Sequence, residues 1–334
     1  MSMNTMQAAW IPRFGGPDVL EVRSVGKPQI APDQVLVRVR ASALNRADLL
    51  QRQGKYPPPP GFPPEIPGIE FAGEVAETGR GVTAWKMGDR VFGLLGGAAH
   101  AEYVVTHERL LARIPENLDW AHAAAVPEAF ITAHDALWIQ ARLRPGESVL
   151  ITAVGSGVGL AGVQLVRAMQ AVPFGTSRTL DKIAQAKPFG LEAGIAVRDN
   201  LDELVAAAEQ WTGKKGIDVV LDLVGGPYAK VCQRLMALKG RIMLVGTVAG
   251  GSFEVDSRHV MGKRLEIRGT VLRARSLEEK IQVTQAFSEE VVPLLASGLL
   301  RPTIDSEFTL AEIAKAHARL ESNETFGKVV VMME

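Results

Sequence analysis

The sequence predicts an α/β protein of two units, one β-rich and one a doubly wound parallel sheet, and three observations predict it. At 334 residues the chain exceeds what one hydrophobic core ordinarily organises. Its first third alternates with a period of two, Val35, Val37 and Val39 against Leu36, Arg38 and Arg40, which suits a strand with one buried face. From about Pro127 apolar strands instead take turns with helical stretches, the texture of βαβ units on a parallel sheet.

The elements follow in order. Further short strands are expected near Phe71 to Val75 and Arg90 to Phe92, punctuated by Gly and Pro. Ahead of them Tyr56 to Pro64 carries consecutive prolines, which enforce an extended, rigid loop able to wall a cleft. In the second texture, strands are expected at Ser148 to Ala153, Val219 to Leu223 and Arg241 to Val245, and helices at Leu160 to Ala171 and Leu201 to Trp211. Val224, Gly225 and Gly226 form a turn at a strand's carboxyl end, where doubly wound sheets bind ligands. The tail, Leu310 to Met333, reads as a helix followed by the strand Lys328 to Met332, and no internal repeat or low-complexity tract interrupts the chain.

Composition narrows the function classes. A hydrophobic share of 47% and a charged share of 22% belong to a soluble globular chain rather than a disordered one. Lysine plus arginine equals aspartate plus glutamate, so no global field draws nucleic acid or an anionic membrane, and neither is an expected partner. Cys232 is the sole cysteine, which excludes an internal disulfide and a Cys-rich zinc site. Met1 to Gln7 lacks a basic stretch before an apolar core, and nowhere do 18 apolar residues run together; the cytosol is the expected location.

The strongest local signal is Val149-Leu-Ile-Thr-Ala153, then Val154-Gly-Ser-Gly-Val-Gly159, then an apolar helix. Residues without side chains let the backbone approach a pyrophosphate, whose charge sits among the unpaired N–H groups of a helix N-terminus. Gly155, Gly157 and Gly159, with Ser156 and Val158 between them, supply that approach, and Gly162 would let the helix lie close on the sheet. Strand, loop and helix thus come in the order of a Rossmann dinucleotide site; the competing reading is a tight turn with no ligand. NAD enzymes place an acidic side chain about 20 residues further on, against the ribose 2′-hydroxyl. Here stand Ser177 and Arg178, with Lys182 one turn on, a set that can hydrogen-bond a 2′-phosphate and favours NADPH. The alternative leaves Arg178 and Lys182 solvated and gives the ribose to Asp181.

At this point the chain resembles the zinc-independent quinone oxidoreductase (zeta-crystallin-like) family of the medium-chain dehydrogenase/reductase superfamily and, within it, the tumour-suppressor-inducible NADPH quinone oxidoreductase group. The likeness is carried by Ala41-Ser-Ala-Leu-Asn-Arg-Ala-Asp-Leu-Leu-Gln-Arg-Gln-Gly-Lys-Tyr56, Ile66-Pro-Gly-Ile-Glu-Phe-Ala-Gly73, Val126-Pro-Glu-Ala-Phe-Ile-Thr-Ala133, the glycine loop, and Phe326-Gly-Lys-Val-Val330. It spans nearly the whole chain. The resemblance implies a GroES-like catalytic domain at residues 1–126 and 271–334, a Rossmann NADPH-binding domain at 127–270, and an active site in the cleft between them. It places Asn45 and Tyr56 against the acceptor oxygen, with Tyr56 also able to deliver a proton; the other reading of Tyr56 is a loop residue with one wet end. Thr132 resembles the position that contacts the nicotinamide. Gly246, Leu272 and Lys328 resemble other cofactor neighbours, although packing equally explains Gly246 and Leu272. Asp48 and Gln51 lie in the same segment, with Asp48 suited to capping the next helix. Relatives pair through their Rossmann sheets, so a homodimer or homotetramer is implied, with Leu265 to Thr270 as the pairing strand; the other reading of that run is a covered edge.

Where the superfamily's zinc enzymes place Cys, His and Cys, this chain has Asn45, Ile69 and Glu128, and one carboxylate does not make a site that usually needs three protein ligands. No metal is expected. The six histidines, at 100, 107, 122, 134, 259 and 317, show no paired spacing and read as surface or locally bonded residues. Without a Lewis acid, alcohol oxidation near neutral pH is disfavoured and an intrinsically electrophilic acceptor, a quinone or conjugated enone, is expected. The function expected is NADPH-dependent quinone reduction by hydride transfer. Its rivals are reduction of α,β-unsaturated carbonyls or enoyl thioesters, and a non-catalytic, crystallin-like NADPH-binding protein.

Overall fold

The alternation at Val35–Val39 becomes the central strand of the first unit in a computed structural model that describes residues 4–198 and 200–333. Strands run β1 (Thr5–Trp10), β2 (Glu21–Gly26), β3 (Gln34–Ala43), β4 (Glu70–Thr78), β5 (Arg90–Leu94), β6 (Tyr103–His107) and β7 (Leu111–Arg113). They continue as β8 (Ser148–Ile151), β9 (Val172–Ser177), β10 (Ala193–Ala196), β11 (Ile217–Asp222), β12 (Met236–Leu244) and β13 (Glu266–Gly269), and close with β14 (Ile304–Thr309) and β15 (Lys328–Met332). The chain divides into two compact units, Met1–Ile131 with Leu272–Glu334, and Thr132–Val271.

In the first unit the sheet order is β14-β15-β3-β4-β5-β7, with β6 also on β3, and β1 and β2 form a separate antiparallel pair. Its core joins Val35, Val37 and Val39 to Phe71, Val91 and Val104, and to Ile313, Val329 and Val331 from the tail. The tail belongs here because β15 is buried throughout Lys328–Val331 and pairs antiparallel with β3, Val330 opposite Ala43. No regular element occupies the proline-rich Tyr56–Pro64 loop, since prolines lack the N–H that a ladder or helix needs.

The second unit is a six-stranded sheet in the order β10-β9-β8-β11-β12-β13, every pair parallel. The chain leaves β8 toward β9 and then returns to β11, so the order reverses beside β8, the point where such sheets bind ligands. Several boundaries differ from expectation, among them two that bear on the site. The helix after the glycine loop runs Gly157–Ala168 rather than Leu160 to Ala171, because Ser156 caps it early and Gln170, at φ 56°, ends it. Residues 127–131 pack with the first unit instead of opening the second: Glu128 N–H donates to the Glu70 carboxylate at 2.7 Å. Among the described residues no helix is long and apolar enough to cross a membrane.

Candidate functional site

Strand register assembles the polar cluster of the first unit. With Val330 opposite Ala43, two more antiparallel steps set Lys328 beside Asn45, and on the other edge of β3 the pair Ser42–Phe71 brings Glu70 alongside. The Lys328 ammonium donates to Asn45 Oδ1 at 2.6 Å and Leu44 O at 2.9 Å, and pairs with Glu70 Oε1 at 2.6 Å, with both charged side chains buried. Asn45 Nδ2 donates to Glu70 Oε1 at 2.8 Å and to Ala43 O at 3.3 Å. Burial pushes the Glu70 carboxyl above its usual range, and the Lys328 charge pulls it back. An ammonium has three donors, all used here, so Lys328 holds Asn45 and Glu70 and keeps no N–H for the cofactor contact that the resemblance implies. Both Asn45 N–H groups are likewise engaged, and the longer bond to Ala43 is the one an acceptor could replace.

Beneath this cluster lies a second one. Asp48, fully buried, accepts from Asn45 N at 2.7 Å and Gly68 N at 2.9 Å, so it closes the first turn of the Arg46–Arg52 helix and also ties down Gly68. The single Ser42 hydroxyl hydrogen goes to Glu70 O at 2.7 Å; His100 Nδ1, 2.8 Å from Ser42 Oγ, must therefore carry the proton and donate. His100 Nε2 then faces Asp48 Oδ2 at 3.8 Å as a bare lone pair. Burial drives the His100 pKa down to about 3, with the Lys328 charge adding, and drives the Asp48 pKa up to about 6 against its backbone bonds and the Lys328 and Arg273 charges.

The sign for stability follows from the proton count. A carboxyl whose folded pKa is raised from 3.8 to about 6 binds its proton more tightly in the folded state, so its contribution is favourable below pH 3.8 and is lost as pH rises through 6. The loss amounts to on the order of 3 kcal/mol. Asp48→Asn removes the titration, and the stability of the wild type relative to the variant, read by denaturant unfolding, is expected to fall across that window. A pH-independent difference would refute the assignment.

Tyr56, half-buried, opens the proline-rich loop, and its ring lies 4.7 Å from the Arg273 guanidinium. Arg273 donates to Gly96 O at 2.7 Å, Tyr56 O at 3.2 Å and Gln51 Oε1 at 2.6 Å, while Gln51 Nε2 donates to Pro64 O at 3.0 Å. Gln51 thus serves as a brace between helix and loop. Burial raises the Tyr56 phenol pKa and Glu128 adds to it, whereas Arg273 opposes both. The sequence reading missed Arg273: one arginine in Leu272-Arg-Ala-Arg275 reads as a solvated charge.

Ile69 is buried and apolar, and among the described residues no three His, Cys, Asp or Glu side chains gather as a metal ion would require. The histidines divide. His107, His122 and His259 bond locally, the last two to Asp119 and Asp256, as expected. His100, His134 and His317 are fully buried; His134 packs locally on Trp138, whereas His100 and His317 correct the surface or local reading, because Ser42 and Arg52, distant in sequence, supply their bonds.

In the second unit the glycine loop joins β8 to the Gly157–Ala168 helix. Ser156 Oγ accepts from Gly159 N at 3.1 Å, and helix geometry leaves the Gly157 and Val158 N–H groups without intrahelical partners. A Cβ at Gly159 would lie 2.6 Å from Ala153 O and 2.8 Å from Val154 Cα, so only glycine fits. At Gly162 it would meet Leu221 Cδ2 at 3.1 Å, which is the close helix-on-sheet approach expected of that residue. Gly155 is buried inside the turn. Val154 N donates to Thr176 O at 2.8 Å, stitching the loop to the carboxyl end of β9, where buried Ser177 and exposed Arg178 follow. Lys182 lies in the first turn of the Leu180–Ala186 helix, its N–H on Thr179 Oγ1. Buried Asp222 Oδ1 accepts from Val224 N and Gly225 N, both at 3.0 Å, fixing the turn after β11. A Cβ at Gly246 would collide with the Leu223 carbonyl, so packing alone requires glycine there. Thr132 is buried with its hydroxyl lacking a partner. Thr132 and Gly246 belong to this unit; Leu272, whose carbonyl accepts from Arg275 N, belongs to the first.

The cradle suits a dinucleotide: a glycine that no side chain can replace, free amides at a capped helix start, and an orphaned hydroxyl. Comparison with known proteins agrees. The family of alcohol dehydrogenase GroES-like domains matches residues 31–116, and that of zinc-binding dehydrogenases residues 191–331. A quinone oxidoreductase of Lama guanicoe is 32% identical over 334 residues, covering 98% of each chain. That of Homo sapiens is 31% identical with the same coverage. The solved quinone oxidoreductase of Pseudomonas syringae pv. Tomato DC3000 superposes with a TM-score of 0.85 at 28% identity, over 98% of this chain and 99% of that one. With a GroES-like unit, a Rossmann unit and a nicotinamide cradle in one chain, the protein belongs to the quinone oxidoreductase (zeta-crystallin-like) family of the medium-chain dehydrogenase/reductase superfamily and is an oxidoreductase.

Proposed function

We propose that the chain reduces quinones with NADPH and without a metal. What supports this reading is the set Asn45, Ile69 and Glu128, an amide engaged by Lys328 and Glu70, a buried alkyl group and one carboxylate, at the positions that the resemblance matches to the zinc enzymes' ligands. Such a site offers no Lewis acid, so the acceptor must itself be electrophilic. Bound NADPH supplies hydride. Gly157 and Val158 present amides to its phosphates, Thr132 presents its hydroxyl to the nicotinamide, and Ser177, Arg178 and Lys182 take the 2′-phosphate. Tyr56 donates its hydroxyl to the acceptor oxygen, and Asn45 can exchange its long bond to Ala43 for the same purpose. Under this reading two chains pair along β13, which ends the sheet, and the buried thiol of the sole cysteine, Cys232, fits the reducing cytosol.

The test is NADPH consumption by chelator-treated protein with a quinone, an enone and an enoyl thioester compared side by side. Quinone turnover with a lower KM for NADPH than for NADH is expected. Tyr56→Phe should lower kcat/KM about 10- to 100-fold, the value of one hydrogen bond to a charged oxygen, with NADPH affinity unchanged. Turnover restored only by added zinc, activity confined to the enoyl thioester, or NADPH binding with no turnover would each overturn the reading.

A further inference from the structure

Arg273 is an expensive residue. It is 8% exposed; three of its hydrogen bonds go to the neutral oxygens of Gly96, Tyr56 and Gln51, and its side chain also bonds the Tyr56 phenol. None of these bonds goes to a carboxylate, although the Asp48 and Glu128 charges attract it. A buried guanidinium held by neutral groups disfavours folding, and a methionine or leucine would fill the same volume more cheaply. The first three bonds join segments that share no strand or helix: the Arg46–Arg52 helix through Gln51, the proline-rich loop through the Tyr56 carbonyl, and the turn after β5 through Gly96. The guanidinium also lies against the Tyr56 ring, where a cation is attracted to the π face. A Cβ at Gly96 would strike the Phe62 ring at 2.5 Å, so the far end of the same loop is seated on the residue that Arg273 grips.

We propose that Arg273 is the positioning residue of the acceptor site, acting through Tyr56: it fixes the loop at both ends, and its charge makes the phenol hydroxyl a stronger donor to an oxygen that is gaining negative charge. This rests on the proposed role of Tyr56. In the reaction quinone, NADPH and one proton become hydroquinone and NADP⁺; Arg273 stays protonated and exchanges nothing. The charged groups facing the phenol are Arg273, which favours its ionisation, and Glu128, which opposes it. Around Arg273 itself stand Asp48, Glu128 and, on the helix Leu277–Glu290, Lys280.

Tyr56, Tyr103 and Tyr228 are the only tyrosines, so a phenol titration followed by ¹³C NMR of labelled tyrosine, with Tyr56→Phe to assign the signal, isolates Tyr56. In Arg273→Met its pKa is expected to rise by about one unit, and kcat with a quinone to fall about tenfold, at unchanged NADPH affinity. Arg273→Lys, which keeps the charge but not the planar fork, should hold the pKa close to wild type while losing kcat, and it carries the test if the methionine variant does not fold. An unmoved Tyr56 titration in Arg273→Met, or wild-type kcat in Arg273→Lys, overturns the proposal. Because the titration needs neither cofactor nor acceptor, a shifted phenol in a chain that reduces no quinone would reject the proposed reaction and leave the coupling of Arg273 to Tyr56 standing.

Discussion

Lys328→Met is expected to destabilise the first unit by about 3–5 kcal/mol at neutral pH, the cost of leaving a buried charge without its partner. For a unit of this size that corresponds to a fall in Tm of roughly 6–20 °C. Glu70 has no exposed side-chain surface, and among the described residues Lys328 supplies the cation that pairs with it. Without that cation the carboxyl must take up a proton, which raises its folded pKa further above the ordinary 4.5. A raised folded pKa makes the contribution fully present below pH 4.5 and lost as pH rises through the folded value, so the deficit should shrink as pH falls through that value toward 4.5. Adding Glu70→Gln removes the orphaned charge and is expected to recover a large part of the stability. Denaturant unfolding of the two single variants and the double variant at two pH values supplies the measurement. If Lys328→Met unfolds like the wild type, the buried pair is not the anchor described here.

The second large effect belongs to the glycine loop. Gly159→Ala adds one methyl group, yet that carbon would sit 2.6 Å from Ala153 O and 2.8 Å from Val154 Cα, main-chain atoms that cannot swing aside. Ala153 is already in the left-handed region at φ 51°, so the turn has little room to relax. The expected outcome is a loop pushed off the helix end and a loss of NADPH affinity of about 100-fold or more, as two charge-assisted amide bonds are lost. Gly162→Ala is the internal comparison. There the neighbour is the flexible end of Leu221 at 3.1 Å, and affinity should change little. Calorimetric titration of both variants with NADPH distinguishes a cradle from a mere tight turn: equal, wild-type affinities would favour the turn.

Legibility in the sequence followed the range over which a pattern can act. The glycine loop was readable because its strand, turn, cap and helix are contiguous, and each glycine has a local reason to be there. Asp48 was readable as a residue of the helix start, three places after Asn45, but not as the group that also ties down Gly68. Arg273 could not be found, since its partners Gln51, Tyr56 and Gly96 lie 177 to 222 residues away in the chain. Buried His100 and His317 were read as surface or locally bonded residues for the same reason. Their solvent is replaced by side chains from elsewhere in the chain, and nothing within one helical turn announces it.

The sequence by itself determined the two textures, the parallel sheet with its nucleotide-binding turn, the family, and the apolar or polar character at Asn45, Ile69 and Glu128, all properties of local periodicity or of single positions. Tertiary structure decided that Lys328, 283 residues from Asn45, spends its ammonium inside the first unit, that residues 127–131 join that unit, and that a buried arginine grips Tyr56. The physical reason is register: which side chains meet across β3 depends on how β4 and β15 slide along it, and that alignment is set by the closing of the whole core rather than by any segment's own pattern.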